Sequence, residues 1–201
     1  MWYTNAMKEK KTIIFIGNSG CGKGTQANLV EKKFKDLGEK VFHLEIGDEF
    51  RDLLNMTTYT ANLAREVSEQ GRLQPEFLAI KMWADLFNLY YSPEKNVIID
   101  GSPRKLEEAK ILHEALKFYE IKNAVVIYVK ISRDVAEERM ISRGRKDDTK
   151  SKIKGRLDWF ETDVVKSIEF YRDHRFYNFV EIDGEQSIEK INKDIESALK
   201  I

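Results

Sequence analysis

The sequence has little cysteine, little proline and no net charge. Its 201 residues include 1 cysteine and 3 prolines, and 34 basic side chains balance 34 acidic ones. A single cysteine, Cys21, excludes an internal disulfide and any zinc site made only of cysteines. Because the charges balance, no global field draws the chain to nucleic acid or to an anionic membrane. We therefore expect neither partner, and any anion must be held locally.

A secretory signal and a long apolar run are missing as well, which makes a cytoplasmic protein the expectation. The length suits one domain with a sizeable core. No repeat or low-complexity linker divides residues 1–201, so a single domain is expected. The polar and basic residues 1–10 receive no functional assignment.

Short β-branched apolar runs alternate with longer helical patterns, which is typical of β-α units that build a parallel sheet. Five runs predict strands: TIIFI, VFHLE, NVIID, AVVIYVKI and FVEID. Apolar residues at helical spacing fill the segments between them. The sequence therefore predicts a three-layer α/β/α sandwich with a five-stranded parallel sheet. Two segments without a strand pattern, 46–75 and 143–152, are expected to move.

A phosphate-binding motif, G-x-x-x-x-G-K, runs from Gly17 to Lys23 between an apolar strand and a helix. Glycines let main-chain N–H groups turn toward phosphate oxygens, the helix dipole adds positive potential, and Lys23 supplies a mobile cation. A glycine-rich turn without chemical meaning is the alternative, and its position between strand and helix disfavours it. Gly24 stands where the common pattern has Ser or Thr, and the hydroxyl moves to Thr25.

The stretch GNSGCGKGTQ resembles the phosphate-binding loop of adenylate kinases and related nucleoside monophosphate kinases, where glycine is usual at position 24. Matching segments follow in order over nearly the whole chain past residue 11: GDEFR (47–51), GRLQP (71–75), DGSPR (100–104), RMISRGRKDD (139–148), GRLDWF (155–160) and IDGEQS (182–187). The resemblance implies a fold of the P-loop NTPase type, with 46–75 as a helical insertion for the nucleoside monophosphate and 143–152 as a reduced lid. It further implies a monomer that transfers a phosphoryl group reversibly from ATP, with Mg²⁺, to a nucleoside monophosphate.

Arginine suits this reaction, because its planar fork grips phosphate oxygens in pairs and stays charged. By resemblance, the catalytic residues are Lys23, Arg104, Arg143, Arg145 and Arg156. The implied ATP-binding residues are Asn18, Ser19, Gly20, Cys21, Gly22, Lys23, Gly24, Thr25, Arg139 and Gln186. The implied acceptor-binding residues are Ile46, Gly47, Arg51, Gln74, Gly101, Arg104 and Glu108.

Three carboxylates are candidates near the metal and the lid. Asp100 ends the strand NVIID, where it can orient metal-bound water beside the phosphate-binding loop. Asp147 and Asp148 resemble the Asp-Asp pair that follows the lid in the family. The alternative for this pair is an exposed acidic loop neutralised by Lys146 and Lys150. The zinc-binding cysteines of long-lid members are absent, so no structural zinc is expected.

Two departures from the family pattern leave the acceptor's base open. Ile46 and Glu108 stand where adenylate kinases have Thr and Gln. A Gln amide can both accept from the adenine amino group and donate to the ring nitrogen, whereas an ionised Glu only accepts, which suits the two adjacent donors of guanine. AMP is the expected acceptor, and GMP, CMP and UMP are alternatives. A nucleotide-binding protein without turnover and a P-loop kinase for another small hydroxyl compound also remain open.

Overall fold

A computed structural model describes residues 10–145 and 148–201 of the protein. Within these residues, five parallel strands form one sheet: β1 (Thr12–Gly17), β2 (Val41–Glu45), β3 (Asn96–Asp100), β4 (Ala124–Lys130) and β5 (Tyr177–Asp183). All five predicted strands are present; β5 begins two residues earlier than its apolar run, and β4 ends one residue before the run does. The predicted fold class is confirmed.

The strand order is β2-β3-β1-β4-β5, so β1 lies between β3 and β4. The connection from β1 to β2 and the connection from β3 to β4 run in opposite directions along the sheet. A crevice therefore opens at the carboxyl ends of β1 and β3. Register places Phe15 beside Asp100 and Gly17 beside Val129. The phosphate-binding motif after β1 and the DGSPR segment after β3 therefore meet at one edge of the sheet.

Helices cover both faces of the sheet: α1 (Lys23–Asp36), α2 (Ile46–Asn55), α3 (Tyr59–Glu69), α4 (Glu76–Tyr90), α5 (Leu106–Phe118), α6 (Arg133–Arg143), α7 (Lys150–Trp159), α8 (Val165–Asp173) and α9 (Ile188–Leu199). A turn of π-helix, Phe160–Val164, joins α7 to α8. Alternate residues of a strand point to opposite faces. Accordingly Ile14, Val97 and Val126 belong to one buried cluster, and Ile13 and Ile98 to another. No helix of the described residues is long and apolar enough to cross a membrane.

The segment 46–75, predicted to be an insertion, consists of α2, α3 and the turn that follows them. Helix α2 buries only Ile46, and α3 buries only Ala61 and Ala64. Few buried apolar contacts are typical of segments that open at low free-energy cost. The predicted lid, 143–152, includes the end of α6 and the start of α7, and six residues, 144–149, separate the two helices.

Two glycines bring the insertion against α7. A Cβ atom added at Gly155 would lie 2.6 Å from the carbonyl oxygen of Gly71, and Gly71 itself has a φ of +67°. A positive φ and this close approach both favour glycine over any residue with a side chain. The end of the insertion therefore touches the backbone of α7 directly.

Gly155→Ala is expected to destabilise the protein, because its methyl group meets main-chain atoms that no side-chain rotation can move. We expect the free energy of unfolding to fall by about 1 to 3 kcal/mol, measured by urea denaturation. Alanine normally stabilises a helix interior relative to glycine, so the sign is informative. The control is Lys154→Ala, one residue away on the exposed side of α7, for which a change within about 0.5 kcal/mol is expected. A Gly155→Ala protein more stable than its parent contradicts the contact.

Candidate active site

The loop after β1 has the geometry of an anion cradle. Gly20 and Gly22 have φ values of +85° and +89°, and a Cβ at Gly20 would lie 2.8 Å from the carbonyl oxygen of Ala136. The Cys21 side chain turns into the core, where burial raises the pKa of its thiol. The Lys23 ammonium donates to the carbonyl oxygen of Asn18 at 3.2 Å. The loop thus presents the start of α1 and one lysine to the crevice.

Glycine at position 24 has a steric explanation in addition to the resemblance noted from the sequence. A Cβ at this position would lie 3.0 Å from Oδ2 of Asp100, which is tighter than ordinary van der Waals contact. Asp100 is 6% exposed. A serine or threonine at position 24 would crowd this carboxylate, so the loop's departure from the common pattern makes room for Asp100.

A cavity of about 610 Å³ opens at this edge of the sheet, and most of the predicted site residues line it. They are Ser19, Gly20, Gly22, Lys23, Gly24, Thr25, Ile46, Gly47, Arg51, Gln74, Asp100, Gly101, Arg104, Glu108, Arg139, Arg143, Arg145 and Arg156. The fold therefore brings residues from distant parts of the sequence to one place.

Four predicted site residues do not line this cavity in the part of the chain that the structure describes, and a fifth lies outside that part. Asn18 is buried, and Cys21 faces the core. Gln186 is half-buried just after β5, where its side-chain amide donates to the carbonyl oxygen of Asp183 at 3.1 Å. Asp148 lies behind the cavity wall, and Asp147 falls outside the described residues. Roles in nucleotide binding for these residues stay predictions.

Asp148 is clamped between two of the arginines. Its side chain is 1% exposed and accepts from Arg143 Nε at 2.6 Å, from Arg143 Nη2 at 3.0 Å and from Arg156 Nη1. Burial alone would raise the pKa of this carboxyl, but hydrogen bonds and attraction from Arg143 and Arg156 outweigh it and lower the pKa. The alternative of an exposed carboxylate neutralised by lysines is wrong for Asp148, because the fold turns it inward to orient two guanidinium groups.

Two further arginines of the cavity, Arg51 and Arg139, are also held in place. Arg51 on α2 forms ion pairs with Asp48 and, at 3.6 Å, with Glu45. Arg139 on α6 donates to the carbonyl oxygen of Gly184 at 2.9 Å. Arg145 is exposed on the cavity rim. Positioned, charged donors of this kind suit polyanionic ligands.

Arg104 has an aromatic partner that the sequence reading missed. Its guanidinium carbon lies 5.5 Å from the ring centroid of Trp159, and its Nε donates to the carbonyl oxygen of Gly101 at 2.8 Å. A guanidinium at this distance from an indole is attracted to the ring's negative face. Trp159 stands three residues after Arg156 on α7, which puts both on one helix face. That spacing was a readable signal.

Several further side chains of the cavity wall were not singled out from the sequence. Some are apolar and suit a base or ribose, and others are cationic: Phe50, Leu54, Leu73, Arg72, Lys105 and Lys152. Phe50 and Leu54 are four residues apart on α2, a spacing that favours one face.

Glu108 lines the cavity with its carboxylate already engaged. Oε1 accepts from the hydroxyl of Ser102, and Oε2 accepts from the main-chain N–H of Arg104 at 2.8 Å. The residue is 3% exposed. The freely available acceptor expected from the sequence is therefore occupied within the chain.

Trp159 should report on anion binding at Arg104. Titration with pyrophosphate is expected to change the tryptophan emission, because the anion alters the field of the cation above the indole. The Trp159→Phe variant should lose this change. Trp83→Phe, which alters a buried tryptophan of the core, should keep it. A response lost in Trp83→Phe and kept in Trp159→Phe contradicts the assignment.

Comparison with known proteins agrees with this geometry. The family model described as adenylate kinase matches residues 15–176. An adenylate kinase of Corynebacterium urealyticum is 33% identical over 187 residues, covering 90% of this chain and 94% of the relative. An adenylate kinase of Prochlorococcus marinus (strain MIT 9301) is 30% identical over 190 residues, covering 94% and 99%.

The matched region begins within β1 and ends just after α8, so it contains the whole cavity wall described above. A phosphate-binding loop and a ring of fixed arginines in one crevice are the equipment of phosphoryl transfer between nucleotides. The chain belongs to the adenylate kinase family, as a phosphotransferase that acts on nucleoside monophosphates.

Proposed function

We propose that the protein transfers a phosphoryl group reversibly from Mg-ATP to AMP, giving two molecules of ADP. The observation that carries the proposal is the convergence on one cavity of Lys23 and six of the arginines that line it: Arg51, Arg104, Arg139, Arg143, Arg145 and Arg156. Catalysis of phosphoryl transfer is mostly positioning and neutralisation of charge on the transferring oxygens. These cations supply both.

Two groups of residues divide the work. The phosphate-binding loop, Lys23, Arg139, Arg143, Arg145 and Arg156 hold ATP, with Arg139 against the adenine and the others around the phosphates. The acceptor's phosphate is held by Arg51 and Arg104. The insertion at 46–75 closes over the acceptor, and the turn at 143–152 serves as a reduced lid that completes the arginine cluster.

Asp100 fits a role beside magnesium. Among the described residues its Oδ1 is buried and has no hydrogen-bond partner, so it can accept from metal-bound water. When bound, Mg²⁺ neutralises charge on the phosphate oxygens of ATP. No cluster of three or more His, Cys, Asp or Glu suited to a metal occurs in residues 10–145 and 148–201. Asp100 therefore orients water rather than belonging to a cage of protein ligands.

AMP is favoured over the other acceptors by two observations. The relatives named above are adenylate kinases. The objection to adenine was a free carboxylate at position 108 facing a ring nitrogen, and that carboxylate instead accepts from Ser102 and Arg104. Adenine is thus not opposed by an unpaired acceptor there.

The purified protein with Mg-ATP should convert AMP to ADP faster than GMP, CMP, UMP or dAMP, with products separated by chromatography. A reaction without acceptor measures ATP hydrolysis, which the reduced lid should leave detectable. Preferred turnover of another nucleotide would replace AMP as the acceptor. No acceptor-dependent product from any of them would overturn the kinase proposal.

Arg104→Lys should lower kcat/KM for the acceptor by about 10- to 100-fold, because lysine cannot grip phosphate oxygens in pairs. The matched control is Arg172→Lys. Arg172 also lies over an aromatic ring, with 5.0 Å between its guanidinium carbon and the Phe179 ring centroid, but it is not part of the cavity wall. Equal losses in the two variants would show that the effect is not specific to the site.

A further inference from the structure

Glu108 stands at the base of the loop that carries Arg104. The loop joins β3 to α5, and Glu108 is the third residue of that helix. A carboxylate in the first turn of a helix is stabilised by the helix dipole and by unpaired N–H groups. The position suits an anion that ties the incoming chain to the helix.

Both carboxylate oxygens of Glu108 tie the loop to the helix. Oε1 accepts from Ser102, two residues before Arg104, and Oε2 accepts from the main-chain N–H of Arg104 itself. Ser102 and Glu108 are each 3% exposed. Three residues of the loop are thereby held in one arrangement. The Arg104 side chain, tied to Gly101 and resting on Trp159, starts from a fixed backbone.

The charge of Glu108 also favours the cation it positions. The pKa of the Glu108 carboxyl is raised, because burial outweighs the hydrogen bonds from the Arg104 main chain and from Ser102 and the attraction to Arg104 that oppose it. Burial lowers the pKa of the Arg104 guanidinium, and attraction to Glu108 opposes that shift. A buried anion beside a buried cation is favourable only with such pairing.

Reading a base would undo this arrangement. Each carboxylate oxygen keeps a second lone pair, but Glu108 is only 3% exposed, so a nucleobase could reach it only if the side chain turned away from Ser102 and Arg104. That movement would take the hydrogen-bond acceptor away from the buried hydroxyl of Ser102 and from the half-buried N–H of Arg104, a costly exchange. The acceptor's base would gain one contact while its phosphate lost a fixed arginine.

We propose that Glu108 is a positioning residue that holds the Arg104 loop for the acceptor's phosphate and leaves the acceptor's base unread at this position. The inference rests on the proposed function, because it takes Arg104 as the group that grips the acceptor. The sequence pattern suggested that position 108 reads the acceptor's base, whereas the role proposed here is to hold the arginine that binds the acceptor's phosphate. Affinity at this position comes through the phosphate, and selection among bases comes from elsewhere in the cavity.

The test compares three ligands that share a phosphate: AMP, GMP and ribose 5-phosphate, which has no base. Binding is measured by titration calorimetry with the full chain, so the result does not require turnover. Glu108→Ala should weaken all three by the same factor, about tenfold, since it removes hydrogen bonds to a charged group. A loss confined to AMP or GMP, with ribose 5-phosphate unaffected, overturns the proposal.

Glu108→Gln is the matched variant. Its amide oxygen can accept from the Arg104 N–H and its amide N–H can donate to the Ser102 oxygen, so the loop stays tied. Binding of all three ligands should remain within about threefold of the unmodified protein. A Gln variant as weak as the Ala variant contradicts the assignment, as does failure of ribose 5-phosphate to bind the unmodified protein.

Ser102→Ala gives an independent measurement if Glu108→Ala proves too unstable to study. It removes one of the two ties and should weaken the three ligands equally, by about threefold. Different factors for AMP and ribose 5-phosphate would overturn the proposal. Phosphoryl transfer is scored separately: an unmodified protein that shows these binding results without making ADP refutes the proposed kinase activity and leaves the role of Glu108 intact.

Discussion

Repulsion between like charges is the constraint on which this site depends. Among the described residues, three lysines and seven arginines line one cavity in a chain whose total charge is zero. Carboxylates beside these cations offset the repulsion: Asp148 joins Arg143 to Arg156, Asp48 and Glu45 hold Arg51, and Glu108 lies beside Arg104. Each anion both offsets a cation and fixes its direction. These four carboxylates therefore position cations, which sets them apart from Asp100.

The order of the strands supplies the other half of the site. Because β1 lies between β3 and β4, the phosphate-binding loop and the DGSPR segment emerge side by side. Their proximity explains Gly24, since any side chain there would crowd Asp100. Glycine at position 24 departs from the common motif, and the short distance between the ends of β1 and β3 explains that departure.

The sequence predicted the five strands, the loop and most of the cavity-lining residues, because periodicity and ordered motifs are local signals. It could not predict that Asp148 turns inward or that Glu108 is occupied by Ser102, because each depends on contacts formed only after folding. The place of Trp159 beside the site could have been predicted, because its spacing from Arg156 puts both residues on one helix face. The strand ends were the least certain, as at β5, where Tyr177 begins the strand two residues before its apolar run.

The backbone contact between Gly71 and Gly155 sets a minimum separation that no rotamer can adjust. The first glycine closes the segment assigned to the acceptor, and the second lies one residue before Arg156, an arginine assigned to the donor. An approach of the insertion toward the cavity therefore presses on the same turn of helix that carries a donor-side cation. The segments assigned to the two nucleotides therefore touch through main-chain atoms alone, and this contact is possible only because neither residue has a side chain.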